Sequence, residues 1–213
     1  MSKIVRPVSN TLGDLLDELA ARHPEKEAIV FGNHRINYKN LKDKANILAC
    51  SLIDLGVKPG DRVALLAPKR PEWIIAAFAI AKIGAITSAI STFSTPAELS
   101  WTLKNCNAVA LITVPSFKGN DFLKAITNLS QKNSKENSND LNIDALPNLK
   151  VLISLDKATD DHAIGWDDCI AYSKNISVAA LQKRQEKVSK NDLCFILYTS
   201  GSTAEPKGVT LAH

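Results

Sequence analysis

The sequence has only four cysteines, and none of them belongs to a closely spaced pair. Cys50, Cys106, Cys169 and Cys194 are far apart, C-x-x-C is absent, and no two histidines have metal-ligand spacing. Cys50 and Cys194 lie in apolar runs, which is typical of small core residues. We therefore expect no metal site and predict a reduced, cytoplasmic environment.

Long apolar runs are also missing. The first residues, M-S-K-I-V-R-P, lack the apolar segment of a secretory signal. The most apolar stretch, 73–90, is interrupted by Lys82 and Gly84, which favours a buried helix and strand over a membrane span. The net charge of +4 is mild and requires neither nucleic acid nor an anionic membrane as a partner. We expect no transmembrane segment, and 45% apolar residues are enough for a packed core.

Strand-like apolar runs alternate with helix-like stretches along most of the chain. A helix capped by Thr11, a hairpin turning at Gly32-Asn33 and a helix over 41–55 come first. Further strands are predicted at 62–67, 85–90, 109–114, 149–155 and 192–198, and further helices at 71–82, 96–105, 119–129, 166–174 and 178–187. This alternation predicts an α/β fold of βαβ units, with a parallel sheet and flanking helices. Ligands of such sheets bind beyond the carboxyl ends of the strands.

Two polar stretches interrupt this pattern. The segment 131–140, Q-K-N-S-K-E-N-S-N-D, contains no apolar residue and lies in a polar break at about 131–148. It predicts an exposed loop, and a binding loop is the functional alternative. In the second stretch, Asp160, Asp161 and His162 are adjacent, so their side chains do not easily converge on one metal ion.

The apolar run at 192–198 predicts a buried strand, and it ends abruptly in a loop rich in hydroxyl groups. Glycine lets a backbone approach a ligand closely, and backbone N–H groups in such loops can form a nest for phosphate oxygens. Hydroxyls and a lysine add further donors, so the composition is suited to a polyphosphate. The loop comprises Thr199, Ser200, Gly201, Ser202, Thr203, Ala204, Glu205, Pro206, Lys207 and Gly208.

This loop is not the common P-loop, G-x-x-x-x-G-K-[ST], which is followed by a helix. Here Lys207 is followed by Gly208, and the next residues are strand-like. Serine, threonine, glycine and proline are also ordinary turn residues. On composition alone, a surface hairpin between two strands remains an alternative to an anion site.

The order Y-T-S-G-S-T-A-E-P-K-G over 198–208 resembles the phosphate-binding signature of the adenylate-forming, or AMP-binding, enzymes, T-S-G-[ST]-T-G-x-P-K-G. The match covers 199–203 and 206–208, and Ala204 departs from the usual glycine. If that position needs a positive φ, alanine costs roughly 1 kcal/mol. Weaker likenesses to acyl-CoA synthetases occur at 15–24, 56–68, 71–73, 84–85 and 91–99, so the resemblance covers most of the chain except about 130–190.

The resemblance implies that residues 1–213 are the N-terminal part of an AMP-binding (adenylation) domain, an incomplete N-terminal domain of an acyl-CoA synthetase-like fold. It implies an ATP-dependent carboxylic acid:CoA ligase, with a fatty acid as the acid. The carboxylate would attack the α-phosphate of Mg·ATP, and coenzyme A would then take the acyl group. The loop 199–208 would bind the ATP phosphates, with Mg²⁺ arriving on the ATP.

In the resembled family, the acyl pocket, the adenine-binding segment, a ribose-binding aspartate and a mobile C-terminal domain with a lysine follow this loop. We therefore expect no complete catalytic set within residues 1–213, and expect these residues alone to catalyse neither half-reaction. A complementing C-terminal chain is the expected macromolecular partner. Two alternatives stay open: a non-catalytic module that binds ATP or a partner chain, and an inactive truncated remnant.

Overall fold

The computed structural model describes residues 6–129, 143, 145–158, 160–199 and 206–213, and the predicted polar loop at 131–140 lies outside them. In chain order the elements are α1 (Leu12–Arg22), β1 (Glu27–Phe31), β2 (His34–Asn37), α2 (Tyr38–Asp54), β3 (Arg62–Leu66), α3 (Pro71–Lys82), β4 (Ile86–Ala89), α4 (Pro96–Asn105), β5 (Ala108–Thr113), β6 (Ser116–Phe117), β7 (Asn120–Asp121), α5 (Phe122–Thr127), β8 (Val151–Ser154), β9 (Ile164–Gly165), α6 (Trp166–Ala171), a 3-10 helix (Tyr172–Asn175), α7 (Val178–Gln185), β10 (Leu193–Thr199) and β11 (Lys207–Ala212). Each described helix is too short or too polar to span a lipid bilayer.

Within the described part of the chain, seven strands form one sheet in the order β11–β10–β4–β3–β5–β8–β9. All neighbouring strands are parallel except β10 and β11, which form an antiparallel hairpin. The predicted α/β fold, with a largely parallel sheet and βαβ units, is therefore confirmed. The chain moves from β3 to β4 in one direction and from β4 to β5 in the other. Because such crossovers are right-handed, α3 and α4 lie on opposite faces of the sheet.

The centre of the sheet is closed on both faces. The α3 side also carries α1, α2 and α7, whereas α4 and α5 contact each other on the opposite side. Residues 63–66 of β3 and 110–112 of β5 are 0% exposed. Branched apolar residues dominate these strands, as expected where helices cover both faces of a parallel sheet.

A buried lysine joins three helices on the α3 side. Lys82, at the end of α3, is 1% exposed, and its ammonium donates to Asp17 of α1 at 2.6 Å and to Gln185 of α7 at 3.1 Å. The Gln185 amide donates in turn to Asp14 and Asp17, each at 2.8 Å. Burial lowers the pKa of Lys82, and Asp17 opposes that shift. The lysine that interrupts the most apolar stretch is thus held inside the fold by its own acceptors.

The predicted helix over 119–129 is wrong at its start. Lys118 and Gly119 have positive φ, 48° and 86°, and form the turn of the small β6–β7 hairpin. Asp121 then caps α5, because its carboxylate accepts the Lys124 N–H at 2.9 Å. A glycine turn followed by an aspartate cap delays the helix to Phe122.

The prediction for 192–198 is confirmed for the strand and wrong for its burial. Within β10 only Cys194 is buried, whereas Leu193 and Leu197 are each 40% exposed. The neighbouring β11 is the edge strand, and all six of its residues are exposed. An apolar run favours a strand through its own residues, but its burial depends on covering elements from elsewhere in the chain.

Candidate functional site

The predicted phosphate loop connects β10 to β11. Thr199 ends β10 and lies opposite Lys207, which begins β11. The Thr199 hydroxyl donates to the Lys207 carbonyl at 3.4 Å, so the two ends of the loop are joined. Pro206 and Gly208 are also described, and the other predicted loop residues lie outside the described part: Ser200, Gly201, Ser202, Thr203, Ala204 and Glu205. The strands on either side of the loop, β10 and β11, therefore form a hairpin, as the alternative based on composition predicted.

The loop leaves the sheet at the edge where ligands of α/β proteins bind. The strand β10 runs parallel to β4, and β4 runs parallel to β3. The carboxyl ends of these strands, at Thr199, Ala89 and Leu66, therefore share one edge of the sheet. Adjacent strands are about 4.8 Å apart, which places these ends within reach of one small ligand.

Lys207 provides an accessible positive charge at this edge. Its side chain is exposed, and no carboxylate of the described residues lies within ion-pair distance of it. The next residue, Gly208, lies directly across from Tyr198. A Cβ atom at Gly208 would lie 3.1 Å from the Ile196 Cγ2 and 3.4 Å from the Tyr198 ring. Glycine thus lets β11 pass close to the side chains of β10, whereas its predicted role in the approach to a ligand stays a prediction.

A groove of about 920 Å³ opens between the hairpin and α4. Tyr198 forms part of its floor, where its hydroxyl donates to the Asn105 Oδ1 at 2.8 Å and its ring meets Trp101 edge-on at 6.1 Å. Burial raises the pKa of the Tyr198 phenol, and the neighbouring Cys106 acts in the same direction, so the phenol stays a donor. The lining residues are Arg62, Trp101, Asn105, Cys106, Asn107, Ile196, Tyr198, Pro206, Lys207, Gly208 and Thr210.

Both charged residues among the described residues that line this groove are cationic. Arg62 is committed to the backbone, because its guanidinium donates to the carbonyls of Cys106 (2.6 Å), Gly60 (3.0 Å) and Asn107 (3.1 Å). Of the lining residues that the structure describes, Lys207 therefore remains the charged group available to a ligand at the groove mouth. The sequence did not predict that residues of α4 line the groove. Tyr198, which directly precedes the recognised signature, was the residue that could have pointed to it.

A histidine at position 213 ties the hairpin to the first helix, and sequence reasoning did not find it. The Leu12 backbone N–H donates to the His213 ring at Nδ1, at 3.1 Å. The backbone N–H of His213 donates to the Asp192 carbonyl at 3.3 Å. An accepting Nδ1 places the proton of the neutral ring on Nε2. Burial lowers the pKa of His213, against the opposing attraction of Asp192 and Asp14. The end of β11 is thus anchored to the start of α1.

The face of the hairpin turned away from α4 is apolar and open. Leu197 and Val209 are opposite each other, so their side chains share a face. We call this surface the open face, and it consists of Leu197 (40% exposed), Val209 (46%) and Leu211 (43%). Contiguous exposed apolar residues of this kind are typical of interaction surfaces.

Comparison with known proteins gives consistent matches along nearly the whole chain. The family model described as AMP-binding enzyme matches residues 16–213. The Bacillus subtilis protein YngI, whose name as an acyl-CoA synthetase is itself an inference, is 31% identical over 208 residues. The mouse mitochondrial medium-chain acyl-CoA ligase ACSF2 is 29% identical over 208 residues. Each alignment covers 97% of this chain, but only 38% of YngI and 34% of ACSF2.

A solved structure agrees with these sequence matches. The anthranilate CoA ligase AuaEII, determined in complex with anthranoyl-AMP, superposes with a TM-score of 0.77 at 25% identity. The match covers 97% of this chain and 35% of that one. The chain described here therefore spans little more than a third of the length of the proteins it resembles.

Proposed function

The chain belongs to the AMP-binding enzyme family, and from this premise we propose that it is the N-terminal portion of an ATP-dependent carboxylic acid:CoA ligase. The acid, a fatty acid in our proposal, is activated as an acyl-adenylate and then transferred to coenzyme A. The names of the relatives support this reaction class, since they include a medium-chain acyl-CoA ligase and an anthranilate CoA ligase. A cytoplasmic location remains our prediction, although the mouse relative is named as mitochondrial.

One observation supports the proposal: Thr199 and Lys207, at the two described ends of the recognised signature, lie at the carboxyl edge of the parallel strands, and Lys207 is exposed without an ion-pair partner among the described residues. In our proposal Lys207 neutralises charge on the ATP phosphates and on the departing pyrophosphate. Backbone N–H groups and hydroxyls hold the phosphate oxygens, while Mg²⁺ is carried mainly by the phosphates. The proposed ATP-phosphate site is Thr199, Ser200, Gly201, Ser202, Thr203, Ala204, Glu205, Pro206, Lys207 and Gly208.

We further propose that the open face receives the polypeptide that corresponds to the remaining part of the relatives. Leu197 and Val209 lose water when a covering segment docks, at about 25 cal/mol per Å² of apolar surface. The acyl pocket and the adenine site would come with that segment. Residues 1–213 alone then catalyse neither half-reaction. If they bind ATP and remain inactive when supplied with the covering segment, the second candidate applies, a non-catalytic ATP-binding module.

The direct test is ATP binding by the purified 213-residue chain, measured by isothermal titration calorimetry with Mg·ATP. We expect saturable binding that is weakened about tenfold or more by Lys207→Ala, because a charge-assisted hydrogen bond contributes roughly 1.5–3 kcal/mol. Lys190→Ala is the matched control, since Lys190 is also exposed and precedes the β10 strand. Equal binding by both variants would remove Lys207 from the phosphate site.

The reaction is tested by acid-dependent exchange of pyrophosphate into ATP. We expect none from the chain alone. We expect exchange when the chain is mixed with a separately produced polypeptide covering the part of YngI that lies beyond the match. Exchange by the 213-residue chain alone would refute its proposed inactivity, and a mixture that binds ATP without exchange would favour the non-catalytic module.

A further inference from the structure

We propose a second binding site in this protein, a small pocket for an amphipathic carboxylate whose apolar body is a single ring or a short aliphatic chain. The pocket lies between β1 and the segment that joins β3 to α3, and its volume is about 380 Å³. It shares no lining residue with the groove beside Lys207. The inference therefore does not depend on the proposed ligase function.

Two apolar walls face each other across this pocket. One wall is the hairpin strand β1, where Val30 and Phe31 are 57% and 45% exposed. The other wall carries Trp73 and Ile74, which are half-buried against the core. A ligand between the walls would gain contacts that the open pocket lacks and would remove apolar surface from water.

The second wall is rigid before any ligand binds. Pro68 and Pro71 flank the segment that leads into this wall, and each proline ring fixes its own φ. Arg70 lies between them, and its guanidinium is held by Glu72 at 2.7 Å and by Asp156 at 3.2 Å. A preformed wall costs little ordering on binding, which favours a true pocket over a surface depression.

The charged residues at the pocket favour a negatively charged ligand. The described residues that line it include two cations, Lys69 and Arg70, and no carboxylate. Arg70 is already paired with two carboxylates. Lys69 is exposed, and among the described residues no carboxylate lies within ion-pair distance of it. An anionic head group beside Lys69, with the apolar body between the walls, satisfies both features.

The size of the pocket limits the ligand further. A volume of about 380 Å³ lies near the lower end of the range for small-molecule sites, roughly 300–1,000 Å³. A benzoate or hexanoate fits this volume better than a nucleotide, whose several phosphates would also meet only one free cation among the described lining residues. We therefore assign the site to small monocarboxylates.

Tryptophan fluorescence can test the site locally. The chain has three tryptophans, of which Trp73 lines this pocket and Trp101 lines the groove beside Lys207. The double variant Trp101→Phe/Trp166→Phe keeps Trp73 as the reporter, and Trp73→Phe/Trp166→Phe keeps Trp101. Each is titrated, without ATP, with hexanoate, benzoate, hexanol and hexylammonium.

We expect a saturable change at Trp73 with hexanoate and benzoate, weaker binding of hexanol and weakest binding of hexylammonium. In the Trp73 reporter, Lys69→Gln should weaken hexanoate binding about threefold to fivefold, as for an exposed ion pair, and leave hexanol unchanged. Phe31→Ser, at a half-exposed position, should weaken both ligands. Lys58→Gln is the control, an exposed lysine outside the pocket lining.

Three results would overturn the proposal. The first is no saturable change at Trp73 with any carboxylate. The second is equal binding of hexanoate and hexylammonium, or an equal effect of Lys69→Gln on hexanoate and hexanol. The third is a response at Trp101 alone, which would place carboxylate binding in the groove. Calorimetric ATP binding is measured separately, so a failure here leaves the proposed ATP site to its own test.

Discussion

The closed centre of the sheet and the open hairpin at its edge are built from similar residues but have different environments. In β3, R-V-A-L-L, the last four residues are 0% exposed. In β10, L-C-F-I-L-Y-T, two leucines remain 40% exposed. Helices cover β3 on both faces of the sheet, whereas α4 packs against one face of the β10–β11 hairpin and α1 reaches the hairpin only at its end, at His213. Apolar content therefore identifies a strand, and the surrounding elements decide how much stability that strand contributes.

The largest expected effect compares one leucine from each region. Leu65→Ala should reduce the free energy of unfolding by about 2–5 kcal/mol, because it removes a fully buried side chain and leaves a cavity. Leu197→Ala should cost less than about 1 kcal/mol, since much of its side chain is already in water. Urea unfolding followed by circular dichroism measures both. Similar losses at the two sites would show that the open face is covered in solution.

The next effect concerns function at the open hairpin. In the chain mixed with its complementing polypeptide, Lys207→Ala should lower kcat/KM for ATP by the equivalent of about 2–4 kcal/mol, because it removes charge stabilisation in the transition state. The free energy of unfolding should be unchanged, since Lys207 is exposed and without an ion pair among the described residues. Steady-state kinetics with Lys190→Ala as the control tests this. A large loss of stability would mean that Lys207 supports the fold.

Much of the fold can be predicted from local patterns. The apolar period and caps predicted α1, α2, α3 and α4, and the strands of the central sheet, to within a few residues. The two-residue strand β9 and the β6–β7 hairpin were missed, because segments so short carry no period. The candidate loop was recognised from its order of residues, with Thr199 and Lys207 found facing each other.

Features formed by distant residues could not be predicted in this way. Leu12 and His213 are 201 residues apart in the sequence, yet the Leu12 N–H donates to the His213 ring. The pairing of Tyr198 with Asn105 depends on where α4 crosses the sheet. Neither contact leaves a periodic or compositional signal, because each requires the assembled sheet before the two partners meet.

The contact of His213 with α1 gives a smaller, pH-dependent effect. Burial lowers the pKa of His213, so the folded state favours the neutral ring that accepts the Leu12 N–H. This stabilisation is fully present above the unfolded pKa of about 6.5 and is lost as the pH falls below it. The loss should be about 0.5–1.5 kcal/mol, the net contribution of one hydrogen bond.

Urea unfolding at pH 7.5 and pH 5.5 measures this contribution of His213. His213→Gln should reduce the difference in unfolding free energy between the two pH values. His34→Gln, at an exposed hairpin position, should leave the difference unchanged. If both variants keep the full pH dependence, the hairpin is not anchored through the neutral imidazole.

The smallest effect on the stability of the chain itself is expected from a charge on the open face. Leu197→Lys should change the free energy of unfolding by about 0.5 kcal/mol or less, as for most exposed positions. The same lysine should abolish docking of the complementing polypeptide, because docking would bury an unpaired charge. Sedimentation velocity of the mixture measures the docking, with Lys58→Gln as a control outside this face. Intact docking by Leu197→Lys would show that the covering segment binds elsewhere, and that the open edge of the sheet is a free surface of the protein.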